Sequence, residues 1–240
     1  MDYRIFTLNQ NYCIIHYPEK PNGFGILLLG DEENFVVRSG SLWLRNNSRQ
    51  EILQLLIDHG YTIFYSNLGG KHMGNQDAIE QAKDLYEYVK RTEILNDKIH
   101  IIAEGFGATV VRSLIETKNE MIRSILFINP IFSLKWMYEM VKVQPFSYKK
   151  FLSDIKKAYK ISDDDCIALI NTDQFNKLEI RNEYKVIHIL EHGHDDNEWI
   201  KWYQMYLDHS FGEVHILLPD KRADIFKYAI QLFKKTEQKL

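Results

Sequence analysis

Several features that would place a protein in a specialised class are missing from this sequence. Its 240 residues include two cysteines, Cys13 and Cys166, which are far apart and match no metal-binding or redox spacing. No run of about 18 apolar residues occurs, so we expect no membrane span. The N-terminal segment MDYRIFTLNQ lacks a basic stretch followed by an apolar one, so no secretory signal is predicted. These absences favour the reducing cytoplasm as the compartment.

The charge has no dominant sign either. The sequence has 30 Lys and Arg against 33 Asp and Glu, a net charge of −3. Nucleic-acid binders need clustered basic residues to neutralise phosphates, so we expect neither nucleic acid nor a membrane as a partner. A composition of 45% hydrophobic and 26% charged residues is typical of a soluble globular protein. The length allows one large domain or two small ones.

What the sequence does contain is an alternation of strand-like and helix-like segments. Helices are predicted from near Ser48 to Gly60 and around 78–89, 106–117, 197–208 and 225–233. The predicted strands are 3–7, 12–17, 24–29, 61–65, 99–103, 125–128, 185–190 and 214–218. This order predicts an α/β fold with a mostly parallel sheet and helices on both faces. Ligands bind such sheets beyond the carboxyl ends of the strands, so the residues after each strand are the site candidates.

The segments after the strands resemble those of the α/β-hydrolase superfamily over nearly the whole chain. The Gly30 loop is similar to the oxyanion loop, and the strand, tight turn and helix at 101–117 are similar to the nucleophile elbow. The sequence His192-Gly193-His194-Asp195-Asp196 resembles an H-G-x-x-D motif, with Asp196 as the triad acid. The resemblance implies an eight-stranded sheet in a single domain, 1–240, with a helical cap insertion at about 133–182.

The elbow departs from the G-x-S-x-G pattern at its centre. The five positions are Ala103, Glu104, Gly105, Phe106 and Gly107, so the nucleophile position holds a glycine that cannot form an acyl-enzyme. The triad histidine is also missing, because no histidine follows His215 and the loop after the last strand begins Pro219-Asp220-Lys221-Arg222. We therefore predict a chain that has lost serine-hydrolase catalysis, in which glycine relaxes the strained elbow backbone.

A binding pocket is predicted to remain. The Phe106 backbone N–H, with one from the Asp31–Glu32 region, would bind an anion or a carbonyl oxygen, with Gly30 and His72 lining the pocket. The side chains of Asp31, Glu32 and Glu33 are expected to lie in a solvated loop. The predicted ligand is a small acyl, ester-like or carboxylate compound under the cap, or a protein partner, and no cofactor is expected.

Three alternatives stay open at the level of sequence. An active ester or peptide hydrolase could use relocated residues, namely Ser66, His72 and Asp196. A metal-dependent hydrolase could use His192, His194 and Asp196, whose H-x-H-x-D spacing resembles the zinc site of metallo-β-lactamases. An interaction module, including a homo-oligomer, could use the aromatic residues of the insertion, among them Trp136, Met137, Tyr138 and Met140.

Overall fold

The computed structural model describes residues 2–32, 35–173, 178–190, 196–207 and 211–238, with backbone only for residues 196, 197 and 206. The main sheet has eight strands in the spatial order β1-β2-β4-β3-β5-β6-β7-β8. Only the pairs β1–β2 and β2–β4 are antiparallel. The strands are β1 Asp2–Leu8, β2 Asn11–Tyr17, β3 Gly25–Leu29, β4 Thr62–Ser66, β5 Ile99–Glu104, β6 Ile122–Ile128, β7 Glu183–Ile189 and β8 Gly212–Leu217.

The helices follow the strands as the alternation predicts. They are α1 Asn47–Asp58, α2 Gln76–Thr92, α3 Gly107–Lys118, α4 Leu134–Val141, α5 Pro145–Tyr159, α6 Asp163–Thr172, α7 Asp196–Tyr206 and α8 Ile225–Glu237. Two short elements that precede α1 were not predicted. One is a hairpin whose strands have two residues each, Val36–Val37 and Gly40–Ser41, and the other is one helical turn, Leu42–Arg45. The predicted fold class is confirmed: this is an α/β structure with a mostly parallel eight-stranded sheet.

The predicted start of α1 is right to within one residue, but its predicted cap is wrong. We predicted that α1 begins near Ser48, from the capping-box spacing of Ser48 and Glu51. The N-cap is instead Asn46, whose side chain accepts a hydrogen bond from the Arg49 backbone N–H at 3.1 Å. The predicted end is right, because Gly60 has a φ of +91° just after the helix and reverses the chain into β4.

The core forms one layer on each face of the sheet. Alternate residues of the central strand β3 face opposite layers: Leu27 and Leu29 pack with α2, α3 and α7, whereas Ile26 and Leu28 pack with α1 and α8. Five consecutive buried residues in β3 are what a parallel strand covered on both faces requires. The sheet therefore holds the β3 and β5 carboxyl ends in fixed positions.

Three helices, α4 to α6, lie between β6 and β7, within the predicted insertion at 133–182. They form a separate apolar cluster among themselves. This cluster also includes Met73, from the loop after β4, and Phe106, from the turn after β5. The insertion helices are thus packed against the carboxyl edge of the sheet.

No helix in the described part of the chain is long and apolar enough to cross a bilayer.

Candidate functional site

The chain turns sharply from β5 into α3 at Gly105. This residue has a φ of +56°, a conformation that glycine adopts with little strain. Its N–H donates to the Ile128 carbonyl at 3.2 Å, and its carbonyl accepts from the Ile131 N–H at 2.9 Å. A Cβ at Gly107 would overlap the Leu29 backbone, so α3 also needs glycine at this point to approach β3. These two glycines allow a tight strand-to-helix turn at the carboxyl edge of the sheet.

The carboxyl group of Asp31 lies where a nucleophile side chain would begin. An ideal Cβ built on Gly105 would be 2.9 Å from Asp31 Oδ1 and 3.4 Å from Asp31 Cγ. The expectation that Asp31 belongs to a solvated loop is therefore wrong, because Asp31 points inward while Glu32 is exposed. The missing side chain at Gly105 leaves the space that this carboxyl group fills.

The surroundings of Asp31 favour its protonated form. Burial, with the nearby carboxylates of Glu104 and Glu32, raises the pKa of Asp31 to about 7. Hydrogen bonds from the backbone amides of Phe106 and of Asp31 itself act in the opposite direction. The two amides predicted to bind an anion thus already interact with a carboxyl group of the same chain.

Glu104, next to the elbow glycine, forms an ion pair with Arg49 of α1. Arg49 Nη2 lies 2.6 Å from Glu104 Oε1, and both side chains are partly buried. A cavity of about 10 Å³ beside this pair is lined by Trp43, Ile128 and Arg222, among others. It is too small for anything larger than one water molecule.

The insertion covers the other side of the turn. The Phe106 ring is 4% exposed and stacks on Phe151 of α5, with ring centroids 6.4 Å apart. A larger cleft of about 220 Å³ lies further along α3, between Met73, Thr109, Leu134, Tyr159 and residues near them. The ion pair of Arg112 and Asp173, 3.1 Å apart, is part of its wall.

Two candidate residues, Ser66 and His72, are held by separate hydrogen-bond networks. Ser66 Oγ accepts from Gln81 Nε2 at 3.2 Å and donates to the Tyr12 carbonyl at 3.3 Å. In His72, Nε2 donates to the Gly30 carbonyl at 3.0 Å, and Nδ1 accepts from the Gly74 N–H at 3.0 Å. Burial lowers the pKa of His72 to about 4. Both nitrogens of this neutral ring therefore serve to connect two loops.

The other predicted site residues fall partly outside the described part of the chain. His192 and His194 lie outside the described residues, and so does the side chain of Asp196, whose backbone begins α7. Among the residues that are described, no three His, Cys, Asp or Glu side chains are grouped to hold a metal ion. The turn after β8, Pro219–Asp224, contains no histidine. His215 lies within β8, 3.1 Å from Glu213.

The aromatic residues of the insertion are largely used in packing. Trp136 contacts Trp199 and Trp202 of α7, with ring centroids 4.0 and 4.8 Å apart. Met137 and Tyr138 pack against the cluster that the insertion helices form. Among the described residues of the insertion, the exposed large apolar side chains are instead Val143 and Phe146, which are 76% and 82% exposed.

Sequence reasoning missed two features of this site, the inward Asp31 and the Arg49–Glu104 pair. One signal could have indicated the first: glycine at the elbow leaves a gap, and an acidic residue directly follows the oxyanion-loop glycine, Gly30. The second has a weaker signal. Arg49 is a helix residue like many others in the sequence, and only the fold brings it to Glu104.

The sequence has no match among protein-family models and none among curated proteins. Solved structures, in contrast, match over nearly the whole chain. The esterase Est1E from Butyrivibrio proteoclasticus has a TM-score of 0.61 at 9% identity, covering 97% of this chain and 99% of its own. Alpha/beta hydrolase domain-containing protein 10 from mouse has a TM-score of 0.63 at 7% identity, covering 98% and 99%. Epoxide hydrolase VrEH1 from Vigna radiata has a TM-score of 0.58 at 12% identity, covering 98% of each chain.

These similarities establish that the chain has the α/β-hydrolase fold. The resemblance predicted from the sequence is thus confirmed at the level of the fold, although identities of 7 to 12% say nothing about chemistry.

Proposed function

We propose that this α/β-hydrolase-fold chain is a binding protein without serine-hydrolase catalysis, and that its ligand carries a carboxylate or a similar acyl group. One observation carries the proposal: the Asp31 carboxyl group lies against the side-chain position left open at Gly105, with Oδ1 2.9 Å from an ideal Cβ there. Serine-hydrolase catalysis needs a side-chain hydroxyl there and a histidine to deprotonate it. The chain has glycine at the first position and no histidine after its last strand.

The chemistry of Asp31 supports the ligand class. The Phe106 amide and the Asp31 amide hydrogen-bond a carboxyl group in the conformation described above. A carboxylate from solution would present the same two oxygens to the same donors, so it would compete directly with Asp31. Because the carboxyl group of Asp31 belongs to the same chain, its local concentration is high, and this lowers the affinity for an external carboxylate unless Asp31 moves away.

We further propose that the insertion helices act as a cap over this site. Phe106 and Met73 belong to the same apolar cluster as α4 to α6, so a ligand held at the Phe106 amide would meet apolar side chains of the insertion. A small acyl chain attached to a carboxylate fits these surroundings, because its polar end would face the amides and its apolar end the cluster.

Butyrate binding tests this proposal. The chemical shift of the Phe106 amide would be followed by NMR during titration of wild-type protein and of two variants, Asp31→Ala and Glu32→Ala. Asp31→Ala removes the competing carboxyl group, so we expect it to bind butyrate at least tenfold more tightly than wild type. Glu32→Ala removes the same charge from the exposed neighbouring residue and is the matched control, expected to resemble wild type. Equal affinity in all three proteins would contradict a site at Asp31.

Absence of catalysis is tested separately. Wild-type protein should not be labelled by a fluorophosphonate probe and should not hydrolyse p-nitrophenyl butyrate, with an active esterase as the positive control. Labelling at any serine would overturn the non-catalytic assignment. Hydrolysis that is lost in Ser66→Ala, His72→Ala or Asp196→Ala would instead establish an enzyme with relocated residues. Zinc at one equivalent per chain, measured by mass spectrometry, would favour the metal-dependent alternative.

A further inference from the structure

The strand at one edge of the sheet, β8, has apolar residues in contact with solvent. Phe211, Ile216 and Leu218 are 47%, 47% and 54% exposed. Among the residues that the structure describes, the strand is paired on one side only, in parallel with β7. An edge strand with unpaired backbone groups can pair with another chain unless charged residues, proline or a covering segment prevent it.

The direction of the free backbone groups follows from the pairing with β7. The carbonyls of Phe211 and Leu217 accept from Tyr184 N and Leu190 N, at 3.0 and 2.9 Å. Because backbone groups alternate in direction along a strand, residues 211, 213, 215 and 217 bond to β7. The N–H and C=O groups of Gly212, Val214 and Ile216 therefore point away from the sheet, and none of these residues is charged.

The opposite edge of the sheet differs. Strand β1 carries Asp2 and Arg4, and Arg4 Nη2 is paired with Glu93, the residue after α2, at 3.0 Å. Charged side chains on an edge strand oppose pairing with another sheet. Strand β8 has Glu213 and His215, whose charges are opposite when His215 is protonated and which lie on one face of the strand, 3.1 Å apart.

We infer that two copies of this chain associate through antiparallel pairing of their β8 strands about a twofold axis at Val214. The residues whose backbone groups point outward, 212, 214 and 216, must pair with one another across the axis. The axis must therefore pass through a residue, and the axes near the middle of the strand are at residues 213, 214 and 215. An axis at 213 sets Glu213 opposite the partner's Glu213, and like charges directly opposite are unfavourable. An axis at 215 sets Glu213 opposite the partner's Leu217.

The axis at Val214 is favoured by charge and by shape. It places Glu213 opposite the partner's His215, and His215 opposite the partner's Glu213, in pairs whose side chains are close together. Lys185, 3.2 Å from Glu213 Oε2, adds a positive charge on the same face. On the other face Ile216 lies opposite the partner's Gly212. A Cβ at Gly212 would overlap the Tyr184 ring, so position 212 carries no side chain that could oppose the partner's Ile216.

In this register residues 212–216 of one copy pair with 216–212 of the other. The outward pairs 212 with 216 and 214 with 214 would each exchange two backbone hydrogen bonds. The two sheets would then continue into one another across the axis.

Sedimentation velocity over about 1 to 100 μM protein tests the association. We expect a dimer for wild type and a monomer for Ile216→Lys, which places a charge opposite the partner's Gly212 at both ends of the contact. The matched control is Tyr3→Lys on the opposite edge strand, where Tyr3 is 42% exposed, and it should remain a dimer. A monomeric wild type overturns the inference, and so does a dimer that survives Ile216→Lys or is lost in Tyr3→Lys.

Cross-linking tests the register. Paired residues across the axis have Cα atoms about 5.5 Å apart, within the range for a disulfide. Val214→Cys should therefore form an intermolecular disulfide under mild oxidation, whereas Ile216→Cys should not, because its Cα atoms would be four strand positions apart. The native Cys13 and Cys166 are buried and should not interfere. Cross-linking of Ile216→Cys but not Val214→Cys would contradict the axis at Val214.

Discussion

At the carboxyl ends of the strands, the chain turns through Gly105, which has no hydroxyl group. Near their amino ends, the polar side chains of Ser124, His100 and Glu237 follow one another at short distances and form a row, the amino-end row. His100 Nδ1 is 2.7 Å from Ser124 Oγ. His100 Nε2 is 3.4 Å from Glu237 Oε1, without the geometry of a hydrogen bond. Tyr61 OH donates to the same Glu237 oxygen at 2.5 Å.

The difference between these two regions is one of access. Ser124 and His100 are fully buried, and the His100 ring stacks on Phe233 of α8 with centroids 4.1 Å apart. A serine, a histidine and an acid that neighbour one another in space cannot catalyse hydrolysis unless a substrate atom can approach the nucleophile to about 3 Å. The amino-end row therefore serves packing, whereas the turn at Gly105 lies at the carboxyl edge of the sheet, where ligands bind such folds.

The largest expected effect is a loss of stability when the amino-end row is changed. His100→Ala removes a buried ring and leaves Ser124 and Glu237 without it, so we expect the free energy of unfolding to fall by about 3 kcal/mol. Urea denaturation measures this loss. His59→Ala, at an exposed position, is the matched control and should change stability by less than about 1 kcal/mol. A loss of unfolding free energy in His100→Ala as small as that of the control would show that the amino-end row contributes little to the core.

The next effect concerns the elbow itself. Gly105→Ser combines a strained φ with a Cβ that approaches Asp31, so we expect a loss of about 2 kcal/mol by urea denaturation. The double variant with Asp31→Ala should recover part of that loss. Gly69→Ser is the control for backbone strain alone, because Gly69 has a φ of +81° and no atom within 4 Å of its Cβ position. Equal losses at 105 and 69, without recovery in the double variant, would show that Asp31 does not fill the elbow.

The smallest effect is a pH dependence of stability at the same turn. The pKa of Asp31 is raised to about 7, so its contribution to stability is fully present below its unfolded pKa of about 4 and is lost as the pH rises through about 7. Asp31→Asn cannot ionise, so it should stabilise the protein more at pH 8 than at pH 5, by a few degrees in Tm.

The pH dependence of stability that His72 contributes has the opposite sign, and it does not affect this comparison. Its pKa is lowered to about 4, so its contribution is present above about pH 6.5 and is lost as the pH falls. Wild type and Asp31→Asn share His72, and its effect cancels in their difference. A difference in Tm that stays constant between pH 5 and pH 8 would contradict a raised pKa at Asp31.

Most of the fold could be predicted from the sequence because its signals are local. The buried run at 25–29, the turn at Gly60 and the apolar stripes of α2 and α8 each depend on neighbouring residues. The cap of α1 was predicted wrongly for the same reason. Asn46 and Ser48 are both good N-cap residues two positions apart, and local chemistry does not separate them.

The site was less predictable because it depends on contacts between distant segments. The glycine at 105 is visible in the sequence, and its conformation agrees with the expected tight turn. The direction of Asp31 depends on a space that only the packing of β3 beside β5 creates. The neutral state of His72 depends on its burial between two loops, which no spacing in the sequence indicates.

The hydrogen bond from Tyr61 to Glu237 has a consequence for the order of folding during synthesis. The two residues are 176 positions apart, which a ribosome covers in roughly 10 to 35 s. Once β5 has been made, Tyr61 and His100 are both present, but α8, the helix that covers them, is still to come. The part of the sheet that α8 covers therefore stays open until α8 has been synthesised, and it is the surface of a nascent chain that a chaperone would have most time to protect.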